Sequence, residues 1–321
     1  MRTFKRIDAN IMSYLFGPVP SRRLGRSLGI DVIPAKTCSF DCIYCESGPT
    51  THLSMKREEF ADPAAVLREL DLFFRKFPNG ADALTFSSAG EPTLYACMGE
   101  LIAGIKANHP ECPLIVLTNG SLLWDPDVRA DLLKADRVVP SLDAVTPEIF
   151  RLINRPHPAV DLSAVIEGIR AFRREYKGEL HLEIMLAAGV NDSPPELQAL
   201  AHAAGTLGAD RIELNTVVRP PARSGTKGLA RDMMEHAAAY FPCERTGIIG
   251  AFSTSAGHAA EDNLGPRILQ TIERRPCTLS ELAASLGVSE SRLESESRKL
   301  EEQGKLALRT FDGRQFLCPA E

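Results

Sequence analysis

Residues 27–48 read SLGIDVIPAKTCSFDCIYCESG. The first part, SLGIDVIP (27–34), carries the Ile/Val/Leu bias of a buried strand. In the loop that follows stand Cys38, Cys42 and Cys45, spaced C-x3-C-x2-C. Thiolates bind soft iron well, and one loop can wrap three of them around a single cluster. A 4Fe-4S cube ordinarily takes four protein ligands. Three leave one iron open, just as zinc enzymes with three protein ligands leave a position for chemistry. A structural zinc site is the competing reading, with His52 the nearest candidate for a fourth ligand. Ser39, Asp41 and Glu46, set among the cysteines, speak against three thiols gathered by chance in an apolar core.

Five more segments share the strand bias: ALTFSS (83–88), LIVLTN (114–119), RVVPSLDA (137–144), LHLEIML (180–186) and RIELNTVV (211–218). Helical spacing lies between them. From Asp62 to Phe77, residues Val66, Leu67, Leu70, Phe73, Phe74 and Phe77 recur on one side; Leu162–Phe172 and Glu196–Leu207 read similarly. Six strand–helix units predict an α/β fold with a parallel sheet and right-handed crossovers. The expected architecture is a partial (β/α)6 TIM-like barrel over 27–255, preceded by an N-terminal extension, 1–26. In such a barrel the chemistry sits where loops leave the C-terminal ends of the strands.

Most polar candidates fall at those ends. Gly90, Glu91 and Pro92 follow the second strand, where glycine admits a close ligand and a carboxylate can accept from an ammonium group. Asn119 ends the third strand, between Thr118 and Gly120, which read as turn residues. Ser141 and Asp143 alternate at the end of the fourth and should point the same way. Glu183 lies inside the fifth strand, where a carboxylate is costly unless paired. It is either a ligand group or the partner of a buried Arg or Lys. Glu213 and Asn215 raise the same question in the sixth, Asn215 being nearer the C-terminal end. Arg219, Arg223 and Lys227, with Arg22, Arg23 and Arg26, are the densest cationic spots near the expected mouth; they suit an anionic substrate or a carboxylate, or are solvated or structural surface residues, which is at least as strong a reading for each. Cys97, Cys112, Cys243, Cys277 and Cys318 are scattered and read as inert thiols; Cys243 alone merits a catalytic test. No hydrogen donor is assignable.

The chain has 321 residues, a formal charge of -5 and 44% hydrophobic residues. A core of that size needs no disulfides. Mild acidity disfavours non-specific nucleic-acid binding by the whole molecule. No run approaches the ~20 apolar residues of a membrane span. The start, MRTFKRIDANIMSYLFG, is interrupted by Asp8, Asn10 and Ser13 and does not read as a signal peptide. The expectation is a cytoplasmic protein away from the membrane, where clustered cysteines mean metal or redox chemistry.

Taken together, these residues resemble the radical S-adenosylmethionine (SAM) superfamily of iron–sulfur enzymes. The resemblance rests on C-x3-C-x2-C after the first strand, with the aromatic Tyr44 before the third cysteine, and on GEP one βα unit later. It covers about residues 14–250. It implies one 4Fe-4S cluster on Cys38, Cys42 and Cys45, with SAM chelated at the open iron. Reductive cleavage there yields methionine and a 5'-deoxyadenosyl radical that takes hydrogen from a substrate. The resemblance places Tyr44 beside the adenine, gives Gly90, Glu91 and Pro92 the SAM amino group, and gives Ser141 and Asp143 the ribose or carboxylate. Asn119, Glu183 and Asn215 complete the expected cofactor-binding set, and flavodoxin or ferredoxin is the expected type of electron donor. YLFGPVPSRRLGRSLGIDVIPAKTCSFDCIYC (14–45) most resembles the branch holding wyosine-synthesis enzymes, which modify a tRNA guanosine, and the iron–sulfur oxidoreductases beside them. The chain departs from the wyosine pattern: no cysteine precedes Cys38 in this sequence to hold a second cluster, and no flavin domain is expected.

The pattern changes near 258–265. Helices are expected at 267–273, 279–287 and 290–303, followed by LALRTFDGRQFLC, where Asp312-Gly313 signals a hairpin. This predicts a small winged helix-turn-helix domain over 265–319. Residues 265–321 hold nine Lys/Arg and nine Asp/Glu, and Glu290, Glu294 and Glu296 lie on the helix that would face a groove. Those carboxylates would repel a duplex, so a peptide or protein partner is favoured, while Arg309 and Arg314 keep RNA or DNA in play. The leading expectation is an enzyme acting on an unidentified substrate (RNA, peptide or protein, or small molecule). The alternative is an iron–sulfur redox-sensing transcriptional regulator that reads DNA through the winged helix.

Overall fold

The computed structural model describes residues 14–21, 25–249 and 264–320. Its strands are β1 (Leu15–Ser21), β2 (Gly25–Ile30), β3 (Thr37–Cys38), β4 (His52–Leu53), β5 (Ala83–Phe86), β6 (Leu114–Thr118), β7 (Arg137–Pro140), β8 (Glu179–Leu186), β9 (Arg211–Thr216), β10 (Thr246–Ile248), β11 (Leu306–Phe311) and β12 (Arg314–Pro319). Its helices are α1 (Pro63–Lys76), α2 (Met98–Asn108), α3 (Pro126–Leu132), α4 (Pro147–Ile153), α5 (Leu162–Glu175), α6 (Pro194–Thr206), α7 (Arg231–Ala238), α8 (Leu264–Arg274), α9 (Leu279–Leu286) and α10 (Glu290–Glu302).

All six expected strands form. β2 and β5 to β9 lie side by side and parallel, and β10 adds a seventh parallel strand that the sequence did not announce. The sheet runs β1-β2-β5-β6-β7-β8-β9-β10, with β1 and β10 at its two edges, which makes an open, partial TIM-like barrel. The helices start where local chemistry tells them to. Asp62 caps α1 by accepting from the Ala64 N–H (3.0 Å), with Pro63 in the first turn. Asp161 caps α5 through the Ser163 N–H (2.7 Å).

Alternation along the strands separates two faces. Leu84, Phe86, Leu114, Val116, Val138, Leu182 and Ile184 point outward and bury fully against Val66, Leu70, Ile102, Ile105 and Phe172 of the helices. Each such side chain contributes about 1.5–3 kcal/mol by burial, which makes this layer the main hold on the fold. The inner face is different. Ala83, Ile115, Leu117 and Val139 form a small apolar floor, and polar residues stand above it toward the C-terminal strand ends.

Within the expected N-terminal extension, residues 15–21 form β1, antiparallel to β2 with Leu15 opposite Ile30, so this stretch belongs to the sheet. Gly17, Pro18 and Pro20 disguise it; prolines are tolerated because β1 is an edge strand. The C-terminal segment covers that edge. Gln270 Nε2 donates to the Leu15 carbonyl (2.8 Å) and Ser285 Oγ to the Pro18 carbonyl (2.8 Å). Arg274 pairs with buried Asp31 (2.5 Å) and lies over the Phe16 ring (4.9 Å).

In that segment α8, α9 and α10 enclose Ile268, Ile272, Leu282, Leu286, Leu293 and Leu300. The antiparallel hairpin β11–β12 adds Leu306 and Leu317. A reciprocal Thr278–Glu281 capping box opens α9, and left-handed Gly287 ends it. Asp312 (φ 47) and Gly313 (φ 70) make the expected hairpin turn. Arg22, Arg23 and most of the expected domain boundary, 255–263, lie outside the described residues.

Candidate active site

The cysteine loop begins at β3 and closes at β4, which pairs beside it. It is fastened throughout its length. The Thr51 and His52 N–H groups donate to the Lys36 carbonyl (3.1 and 3.0 Å), and the Ile43 N–H donates to the Ile153 carbonyl (2.9 Å) at the end of α4. Asp41, between the first two cysteines, accepts from the Thr50 N–H (2.8 Å), Arg155 (3.0 Å) and Arg223 (2.8 Å). Burial works against its charge, but these three donors hold its carboxyl below the usual range.

Each sulfur has a nitrogen donor beside it. Cys38 Sγ accepts from the Phe40 N–H (3.4 Å) and faces Asn119 Nδ2 (3.6 Å). Cys42 Sγ accepts from Asn154 Nδ2 (3.4 Å). The Ser47 backbone N–H serves Cys45. Burial pushes all three thiols up: Cys38 to about 12, Cys42 well above the ordinary value, and Cys45 upward as well. Free thiols here would stay protonated, and metal ligation is what removes such protons. Among the described residues no three His, Cys, Asp or Glu side chains gather closely enough for one metal ion, and His52 is exposed on β4. A cubane gives each thiolate its own iron. Three thiols in one loop, each met by an N–H, fit such a cluster.

Glu91 is buried and fully engaged. Its Oε1 accepts from the Thr93 N–H (3.0 Å), Thr93 Oγ1 (2.6 Å) and Thr118 Oγ1 (2.6 Å), and its Oε2 from the Asn119 N–H (2.7 Å). It thus joins the loop after β5 to the end of β6 and caps the 3-10 turn opened by Pro92. Burial still raises its pKa despite those four donors. Gly90 stands against the Thr37 carbonyl, where a Cβ would come within 2.1 Å, so only glycine lets the two loops meet. Asn119 Nδ2 also donates to Ser39 Oγ (2.8 Å), bringing the end of β6 onto the cysteine loop.

Asp143 is a second hub. Its carboxylate accepts from the Met185 N–H (2.9 Å), Asn154 Nδ2 (2.6 Å) and the Tyr44 hydroxyl. Its carbonyl accepts from Asn191 Nδ2 (2.7 Å). Burial lifts its pKa to about 6 against the pull of those donors. Tyr44 therefore anchors the cysteine loop to the barrel through its hydroxyl. Ser141 bridges to Glu183, and its N–H donates to the Thr118 carbonyl (2.9 Å). Glu183 and Asn215 lie on the inner face toward the strand ends, Glu183 part-buried and Asn215 buried. Glu213 has a partner of a kind not expected: His181 Nδ1 at 2.9 Å, both side chains buried.

The cationic candidates that the structure describes fall on the structural or solvated side of their two readings. Arg219 is buried and spans three segments, bonding the Pro276 carbonyl (2.9 Å) and Glu46 (3.3 Å) and pairing with Glu281 of α9 (3.6 Å). Arg223 is held by Asp41. Arg26 pairs with Asp82 (2.7 Å) at the start of β2, the far end of the barrel from the cysteines. Lys227 is exposed. At that far end Lys106, Arg137 and Arg173 line a cavity, paired there with Asp136, Glu179 and Asp210. The sequence reading missed Asn154, Asn191 and Thr93. Asn154 follows the apolar run of α4 and is itself buried, which is the one trace it left.

The chain thus sets three loop cysteines at the strand ends of a parallel partial barrel. Residues 32–201 match the radical SAM superfamily, and the chain belongs to that superfamily, whose members use a 4Fe-4S cluster and SAM. It is 36% identical over 301 residues to a Brachyspira hyodysenteriae protein named GTPase Obg, covering 93% of this chain and 44% of that one. It is 39% identical over 217 residues to a UPF0026 protein of Methanocaldococcus jannaschii, covering 67% of each. The chain thus spans less than half of the first relative's length. The fold resembles that of a radical SAM methyltransferase from Sphaerobacter thermophilus (TM-score 0.53, 15% identity, 69% of this chain and 66% of that one).

Proposed function

We propose that Cys38, Cys42 and Cys45 hold a single 4Fe-4S cluster and that the chain reductively cleaves SAM there to start radical chemistry on a substrate. The observation that carries this is the set of three part-buried thiols in one fastened loop, each met by an N–H donor, at the C-terminal ends of parallel strands. The cluster and SAM supply the electron transfer and the radical. The chain's own residues position, orient and exclude water. Gly90 lets the backbone after β5 reach the cofactor's side of the mouth, and Glu91 with Asn119 fixes that backbone. Ser141, Glu183 and Asn215 offer a hydroxyl, a carboxylate and an amide for SAM and for a polar substrate.

Residues 27–255 form the catalytic unit in this reading, and residues 265–319 a winged helix. Three helices followed by a hairpin around a core of their own support that assignment. On α10, Arg298 pairs with Glu294 (2.6 Å) and Lys299 with Glu296 (2.9 Å). Arg314 is occupied by Glu281 (2.9 Å). These pairs use up cations a duplex would need, which favours a peptide or protein partner. A flavodoxin or ferredoxin is the proposed type of electron donor and the cytoplasm the proposed compartment; no described helix is long and apolar enough to cross a membrane.

Anaerobically reconstituted protein given dithionite and SAM is expected to release 5'-deoxyadenosine and methionine. No release, together with tight binding of operator DNA, would favour the redox-sensing regulator instead.

A further inference from the structure

Lysines normally lay their carbon stem on the protein and keep the ammonium in water. Lys36 does the reverse. The residue is partly exposed, yet its Nζ is closed off from solvent and, among the described residues, makes no hydrogen bond. Its root is fixed. The backbone is left-handed (φ 63), the N–H donates to the Ala89 carbonyl (2.8 Å), and the carbonyl accepts from Thr51 and His52. From there the side chain leans over the turn that follows the third cysteine. Gly48 closes that turn by donating its N–H to the Cys45 carbonyl (3.1 Å). A Cβ on Gly48 would stand 3.3 Å from Nζ, so the glycine leaves the room that the ammonium fills. Among the described residues, the acidic groups whose charge would act on Nζ are Cys45, in the turn that Gly48 closes, and Glu273 of α8.

An unpaired buried ammonium is expensive, and folds keep one where an anion will meet it. We infer that Lys36 is a positioning charge for the cysteine site, held against its Cys45 side to favour the reduced state of the cluster. The inference rests on the proposed placement of that cluster. Reduction takes one electron from a low-potential donor of the flavodoxin or ferredoxin type. No bond forms or breaks and no proton moves, so the site becomes one unit more negative. A fixed cation beside it stabilises that added charge and draws the reduction potential upward.

The test uses full-length wild type, Lys36→Met and Lys36→Arg, each reconstituted anaerobically and titrated with reductant under EPR, without SAM. Lys36→Met should have a more negative midpoint potential, and Lys36→Arg should stay near wild type. Equal midpoints for wild type and Lys36→Met, or a more positive one for Lys36→Met, overturn the inference. A second readout needs no cluster. In the iron-free protein Lys36→Met should melt at a higher temperature than wild type, because an unpaired buried charge has been removed. A lower melting temperature makes Lys36 a structural residue and overturns the inference even if the variant fails to load iron. Wild type that loads no iron on the three cysteines defeats the site assignment itself. Wild type that loads normally beside an unshifted Lys36→Met defeats only the role of Lys36.

Discussion

Cys42→Ala is expected to lose its iron and, with it, all but background release of 5'-deoxyadenosine, a drop on the order of a thousandfold or more, or ~4 kcal/mol in the barrier. Cys42 is one of only three protein ligands in the proposed site, and its sulfur sits beside Asn154 Nδ2 at 3.4 Å. The fold should tolerate the change. Loss of one sulfur from a part-buried position costs about 1 kcal/mol, so the iron-free variant should melt within a few degrees of wild type. Cys112→Ala provides the contrast. Cys112 is buried in the helix-covered core, far in sequence from the loop, so its loss should lower stability and leave iron content unchanged. Iron and sulfide assays, product chromatography and thermal melts together check the pair.

Asp143→Ala should do the opposite, injuring the fold and the site at once. Three donors converge on the Asp143 carboxylate: the Met185 N–H, Asn154 Nδ2 and the Tyr44 hydroxyl. The residue is buried, so alanine leaves those donors without an acceptor and without water. An orphaned buried donor costs about 1–3 kcal/mol, which puts the loss at roughly 3 kcal/mol or more. For a chain of this size that corresponds to a melting temperature lower by roughly 5–10 °C. Tyr44 and Asn154 would also be released, and both hold the cysteine loop, so iron loading should fall as well. A variant that melts like wild type would show that the hub contributes nothing to stability.

How far the sequence could be read follows from how local each signal is. The six parallel strands were legible because each is a short apolar run, and the hairpin at 312–313 because Asp-Gly demands that turn. β1 was hidden by Gly17, Pro18 and Pro20, whose meaning depends on the strand lying at an edge. β10 has only three residues and no apolar run. The cysteine loop was legible from spacing alone. What its neighbours do was not. Whether Arg219 and Arg223 were ligand-binding or structural could not be read, because their partners, Glu46 and Asp41, are 173 and 182 positions away in the chain. Glu213 was recognised as needing a partner, but only the parallel pairing of β8 with β9 brings His181 to it. Glu91 and Asp143 were picked out as polar groups at strand ends. Their hydrogen-bond donors come from five separate stretches of the chain, around Tyr44, Thr93, Thr118, Asn154 and Met185, and no single stretch of sequence displays them together.

The most direct test is EPR of the reduced, reconstituted wild-type protein with and without SAM, alongside metal analysis. About four irons per chain, and a cluster signal whose shape changes when SAM is added, are the results expected if one iron lacks a protein ligand. A single zinc per chain, or a cluster signal indifferent to SAM, would contradict it.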